Sequence, residues 1–229
     1  MSLGDAIVAT GPMPDDSVSQ ATKKRYSEVL SAHLANELAA ELRRIGFKNV
    51  KPLAGGPGER TFQGGLGPKK VDVSYSDEQN GLMLAVSIKS ICFQPFGKNL
   101  KNRFGDLLTE AITLHLRFPY SVVSMLFAFP IASHKDVTKI RQISTFARAM
   151  KLFSTVSGRK DYTDPGEKFE NVTMLLFEPF TGSEGKGHFQ LYDAKTEKLM
   201  TEEEYLQHLR RIFNERNPHA PIGERDLDE

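Results

Sequence analysis

Two hydrophobic periodicities divide the chain. From Thr22 to Ile45, apolar residues at Tyr26, Leu30, Leu34, Leu38, Leu42 and Ile45 recur every three or four positions and Gly46 follows, which predicts an amphipathic helix with a glycine stop. Val71 to Tyr75 instead alternates apolar and polar residues, Asn80-Gly81 is a tight-turn signal, and Leu82 to Ile91 is rich in aliphatic residues. A hairpin of two strands is predicted, with Asp72 and Ser74 on one face of the first strand and Ser87 and Lys89 on one face of the second. Between helix and hairpin, Lys51 to Gly67 carries six glycines and two prolines, so it reads as a loop or an irregular hairpin.

Further along, Cys92 to Asn102 is predicted as a loop. Phe104 to Phe118 has helical spacing through Leu107, Leu108, Ala111, Ile112 and Leu114, with Asp106, Glu110, Thr113 and Arg117 as its polar stripe. Tyr120 to Phe129 is nearly continuous in apolar residues and predicts a strand buried on both faces. Asp136 to Phe153 is expected as a long helix with a basic outer side, Val172 to Phe177 and Phe189 to Tyr192 as strands, and Thr201 with Glu204 as the capping box of a last helix ending near Pro218. This alternation of helices and strands predicts an α/β fold with a mixed sheet flanked by helices. One domain over residues 21–217 is expected, preceded by a flexible leader over 1–20 and followed by an acidic flexible tail over 218–229.

Composition narrows the chemistry. No apolar run approaches the ~20 residues that would span a bilayer, so a cytoplasmic protein without membrane contact is expected. A single cysteine, Cys92, leaves no intrachain disulfide and no cysteine-based zinc site, and the six histidines have no HExxH spacing. The glycine-rich stretch lacks GxxxxGK[ST], which gives no sign of a nucleotide cofactor. The net charge of +1 is unevenly spread, because residues 201–229 carry −4 and leave +5 on the rest. Cations at Lys69-Lys70 and at Lys98, Lys101 and Arg103 are candidates for phosphate contacts.

A lysine on the inner face of an aliphatic strand demands an acidic partner, because burying an unpaired ammonium is costly. Asp72, on the neighbouring strand, is the candidate. Two carboxylates converging on a divalent cation, with a lysine to orient or deprotonate water, are what phosphodiester hydrolysis requires.

The pattern D-x(14)-S-x-K, in the order helix, three strands, helix, strand, resembles the PD-(D/E)xK superfamily, which includes type II restriction enzymes. The wider stretch also resembles uncharacterised restriction-like proteins of that group. It runs from Lys69-Lys70-Val71-Asp72 through Ala85-Val86-Ser87-Ile88-Lys89-Ser90 to Arg103-x-Gly105-Asp106-x-x-x-Glu110-Ala111 and Leu114-His115-x-Arg117-Phe118-Pro119-Tyr120. The similarity covers about residues 25 to 195 and implies a restriction-endonuclease-like, three-layer α/β/α core in αβββαβ order.

The resemblance implies a Mg²⁺-dependent endodeoxyribonuclease, with Mn²⁺ as a substitute, DNA as partner and a homodimer for symmetric cutting. Two positions depart from the pattern: Val71 replaces the usual proline, and Ser87 replaces the usual acid two residues before Lys89. The resemblance therefore implies an acid supplied by the following helix, Glu110 first and Asp106 second, beside Asp72, Ser87 and Lys89. It further implies DNA contacts from Lys70, Lys101 and Arg103, and an additional acid from the first helix, Glu37 or Glu41. A catalytically silent DNA-binding or assembly module of the same fold, and a nuclease for RNA or repair intermediates, are the alternatives.

Overall fold

The computed structural model describes residues 2–56, 58–140, 142–182 and 185–223. Its elements are α1 (Leu3–Thr10), α2 (Gln20–Arg44), β1 (Arg60–Gly64), β2 (Gly67–Val71), β3 (Val73–Asp77), β4 (Gly81–Ser90), α3 (Phe96–Arg117), β5 (Val122–Pro130), α4 (Thr145–Ser154), β6 (Asn171–Phe177), β7 (Phe189–Asp193), β8 (Leu199–Met200) and α5 (Glu202–Arg216). β3 to β8 form one six-stranded sheet in sequential order. Its centre, β4-β5-β6, is parallel, while β3, β7 and β8 are antiparallel to their neighbours. β1 and β2 form a separate hairpin.

Parallel strands must be covered on both faces, and the sequence of β5 and β6 reflects it, with every residue buried. Leu84, Val86 and Ile88 of β4 share one core with Leu30, Leu34 and Leu38 of α2, with α1 and with Tyr205, Leu209 and Phe213 of α5. Ala85, Met125 and Phe127 share the other with Leu107, Ala111 and Leu114 of α3 and with Phe146 and Phe153 of α4. A β-bulge at Met83, where Tyr75 pairs Leu84 and Ser76 pairs Leu82, resets the alternation of β4. Beyond it, Ser87 and Lys89 take the parity of Ala85 and turn towards α3.

Four expectations about the helices and the chain ends are corrected. The leader over 1–20 contains α1, in which Ser2 and Asp5 form a capping box and Leu3, Ala6 and Ile7 are buried against the α2 side of the sheet. The long basic helix over 136–153 is only α4; Ser144 caps it, and the Asp136 carboxylate accepts from Thr145 N–H and Oγ1–H, which holds the preceding chain back as a loop. Arg141, a cation of that expected helix, lies outside the described residues. α3 begins eight residues early because Phe96 and Leu100 continue its buried stripe. The tail is partly docked: Ile222 N–H donates to Asn214 Oδ1 at 2.7 Å, while residues 224–229 of the expected acidic tail lie outside the described residues.

The predicted strand from Val71 to Tyr75 is also split. Val71 packs in the α3-side core and Val73 in the α2-side core, so the chain turns over at Asp72 between β2 and β3. Strict alternation would put both valines on one face.

Candidate active site

The turnover at Asp72 places that residue one position beyond the last β3–β4 pair, Val73 with Val86. Its side chain therefore reaches over β4. Asp72 Oδ2 accepts the Ile88 N–H at 2.7 Å and lies 3.3 Å from Lys89 Nζ. On the other side of Lys89, Glu110 of α3 brings its Oε2 to 3.9 Å from the same ammonium. Lys69 of β2 closes the group from above, 2.9 Å from Glu110 Oε2. Three segments far apart in sequence thus meet at one point.

Lys69 arrives there because the β1–β2 hairpin lies hard against α3. Gly65 N–H donates to Thr113 O at 2.8 Å, and a Cβ on Gly64 would sit 2.5 Å from Thr113 Cγ2 and 2.7 Å from Thr113 O. Glycine is what lets the backbones approach this closely.

The electrostatics are those of a buried ion cluster. Burial pushes the Asp72 carboxyl above its ordinary value, against the pull of Lys89 and the Ile88 N–H. Burial alone would lower Lys89, but Glu110 and then Asp72 outweigh it and hold the ammonium above the ordinary lysine range. Two buried polar atoms at this cluster have no hydrogen-bond partner: Glu110 Oε1 and the Ser87 hydroxyl. An unpaired buried acceptor costs roughly 1–3 kcal/mol, so its persistence is a feature to explain.

Asp72 and Lys89 open onto a cleft of about 1020 Å³ that runs between α2 and the start of α3. Lys24, Lys70, Lys98 and Arg103 line it, and so do Glu28 and Glu59. Glu110 stands behind Lys89, with its side chain 2% exposed.

The other predicted residues fall differently. Asp106 is exposed on the outer side of α3, 3.8 Å from Arg103, and does not approach Asp72. Glu37 sits near Asp5 and Glu41, on the α1 side of α2, where burial raises its carboxyl. The acid that α2 presents to the cleft is Glu28, on the opposite side of the helix from Glu37. Lys70 borders the cleft and pairs with Glu59 at 3.3 Å, and Arg103 borders it too, whereas Lys101 is exposed outside its lining. His115 is buried elsewhere, with Nε2 3.2 Å from Glu170 and Nδ1 2.8 Å from Gly166 O.

Sequence reasoning named Lys69 only as a candidate phosphate contact, not as a partner of Glu110, and missed Glu59. Lys69 carried a faint signal, being two residues from Val71 in an alternating strand and thus on the same inward side. Glu59 carried none, since it lies in the loop before β1.

Comparison with protein-family models, with curated proteins and with solved structures finds no match. The assignment therefore rests on the geometry alone.

The donors present are of the kind that a hard divalent cation takes. Mg²⁺ takes oxygen donors and is commonly held by one or two carboxylates, with waters and substrate phosphates completing the shell. Asp72 at the cleft and Glu110, which has one oxygen unpartnered, stand either side of Lys89 and would be that pair. No group of three or more His, Cys, Asp or Glu side chains arranged for a metal occurs among the described residues, so a binding mode with an all-protein cage has no support here.

Proposed function

We propose that this chain is a divalent-metal-dependent nuclease that hydrolyses phosphodiester bonds of DNA, with Asp72, Lys89 and Glu110 as its centre. The observation that carries the reading is the position of the Lys89 ammonium between two carboxylates that come from different elements, at the edge of a cation-lined cleft. The run α2, β1, β2 with β3 as one bent strand, β4, α3, β5 supports reading the fold as restriction-endonuclease-like in αβββαβ order.

Asp72 and Glu110 would hold Mg²⁺, or Mn²⁺ in its place; when bound, the ion supplies polarisation of a phosphoryl oxygen and a water of lowered pKa. Lys89, held charged by its two carboxylates, has no free pair with which to accept a proton. Its role is to orient the attacking water and to offset charge as it develops on the phosphoryl oxygens. Ser87, standing where the family pattern has an acid, contributes a neutral hydroxyl, and Glu110 takes over the missing charge. Lys98 and Arg103, with Lys24 and Lys70, would grip the backbone phosphates along the cleft.

The test is cleavage of plasmid DNA with Mg²⁺ or Mn²⁺. Asp72→Ala, Lys89→Ala and Glu110→Ala are each expected to lower the rate by on the order of 100-fold or more, since residues of one catalytic unit fail together. Asp106→Ala is expected to stay within a few-fold of the parent. Cleavage that survives Asp72→Ala and Lys89→Ala would sink the proposal.

A second reading is favoured by one contact. Lys69 already occupies Glu110 Oε2, and Ser87 is no metal carboxylate, which is the arrangement expected of a silent module that binds DNA through the cleft. DNA binding without cleavage, indifferent to Mg²⁺ and to Asp72→Ala, would favour it.

A further inference from the structure

A second cavity, of about 560 Å³, lies at the opposite end of β4 from Lys89. Leu82 and Met83, at the start of the strand, form part of its wall, about 20 Å of strand away from the cleft. Phe118 and Tyr120, from the turn after α3, add aromatic surface, and Arg117, Arg216 and His219 supply the polar groups.

Arg216 is the unusual member. Its side chain is 8% exposed, it lines the cavity, and its Nη1 is buried with no hydrogen-bond partner. The reason lies behind it. Glu170, fully buried, takes Arg159 Nη1 at 2.7 Å and Arg216 Nη2 at 3.2 Å on the same Oε1. Its other oxygen takes the Val123 N–H at 2.9 Å and faces His115 Nε2 at 3.2 Å. Two guanidinium groups therefore share one carboxylate, and Arg159 Nε is unpartnered as well. Buried charges are normally balanced, because an uncompensated ion in the interior is costly. Asp161 and Asp164 act on Arg216 and Arg159 from the neighbouring exposed loop, but Arg216 Nη1 keeps no hydrogen-bond partner, and it belongs to a residue on the wall of an open cavity.

We propose that this cavity binds a small organic anion, a phosphate monoester or a carboxylate on an apolar or aromatic body. Arg216 and Arg117 hold the anionic head, which Arg groups engage through paired N–H donors. Leu82, Phe118 and Tyr120 receive the body. The volume lies within the ~300–1,000 Å³ usual for small-molecule sites, and the mix of an apolar wall with a few convergent donors is their ordinary composition. The inference does not rest on the nuclease reading, since no residue of the Asp72 cluster takes part.

Calorimetric titration of the full chain with phenyl phosphate, benzoate and inorganic phosphate tests it. Saturable binding of phenyl phosphate or benzoate is expected at least tenfold tighter than inorganic phosphate, and the tighter of the two identifies the head group. Arg117→Gln, on an exposed helix end, and Arg216→Lys, which keeps the charge but loses the fork, are each expected to weaken it fivefold or more. Arg117→Gln alone decides if Arg216→Lys does not fold. Lys98→Gln/Arg103→Gln, in the other cleft, is expected to leave it unchanged, as is Asp72→Asn. Absence of saturable binding, binding no tighter than inorganic phosphate, binding indifferent to the arginine variants, or loss of binding in the cleft variant would each overturn the proposal.

Discussion

Asp72 is buried at a cost that the fold could avoid by carrying asparagine there. Its pKa in the folded chain is raised above the ordinary 3.8, so the fold favours the protonated form. Its contribution to stability is therefore present below pH 3.8 and is lost as the pH rises through the higher folded value. Lys89, also raised, has the same sign in a different window: its contribution is present below pH 10.5 and is lost as the pH rises through the higher folded value. At neutral pH, Asp72→Asn should keep the acceptor for Ile88 N–H and leave Lys89 its larger partner, Glu110. Melting curves at pH 7 are expected to put Asp72→Asn level with the parent or above it, with the gap closing towards pH 3.8. A fall of several degrees at pH 7 would instead mark Asp72 as a structural ion-pair partner. Asp72 and Lys89 were legible in the sequence because a polar residue on an aliphatic strand needs a partner. Glu110 was legible only as one of two acids on one helix stripe, because which of Asp106 and Glu110 turns inward depends on how α3 is rolled against β4, a tertiary fact.

The elements divide in the same way. Strong periodicity identified α2, the β3–β4 hairpin, β5, β6, β7 and α5, and the Thr201–Glu204 box fixed the start of α5. The helix α1 escaped notice, although Leu3, Ala6 and Ile7 have helical spacing, because a helix of 8 residues is marginal without the tertiary surface that buries it. Ile7 is fully buried, so Ile7→Ala is expected to cost about 2–5 kcal/mol in denaturant unfolding; a change under roughly 0.5 kcal/mol would return residues 1–20 to a dispensable leader. The β1–β2 hairpin escaped because glycine-rich sequence reads as loop when its packing surface is unknown. Its glycines are needed for contact with α3, and through that contact Lys69 reaches Glu110. Gly64→Ala is expected to push the hairpin off Thr113, lowering both melting temperature and nuclease rate, whereas Gly105→Ala, which meets nothing within 4 Å, should spare both.

At the scale of the whole molecule, the sheet separates two working ends. Parallel β4, β5 and β6 run from the buried Glu170 cluster at their starts to the Asp72–Lys89 cleft beyond the end of β4. No helix among the described residues is long and apolar enough to cross a membrane. With a net charge of only +1, overall charge gives little attraction for a polyanion, and on the proposed reading the cleft supplies it locally. Replacing Lys98 and Arg103 by glutamine is therefore expected to weaken DNA binding across sequences and to reduce the slope of log affinity against log salt by about 1–2, as loss of phosphate contacts requires. An unchanged slope would move the nucleic-acid face elsewhere.

The central claim is that Asp72 and Glu110 together hold a divalent ion beside Lys89. Anomalous scattering from crystals soaked in Mn²⁺ tests it most directly. A peak is expected within coordination distance, about 2.0–2.5 Å, of carboxylate oxygens of both Asp72 and Glu110, with Lys69 withdrawn from Glu110. A clean map at that position, with Lys89 still bridging the two carboxylates and Lys69 still on Glu110, would contradict it.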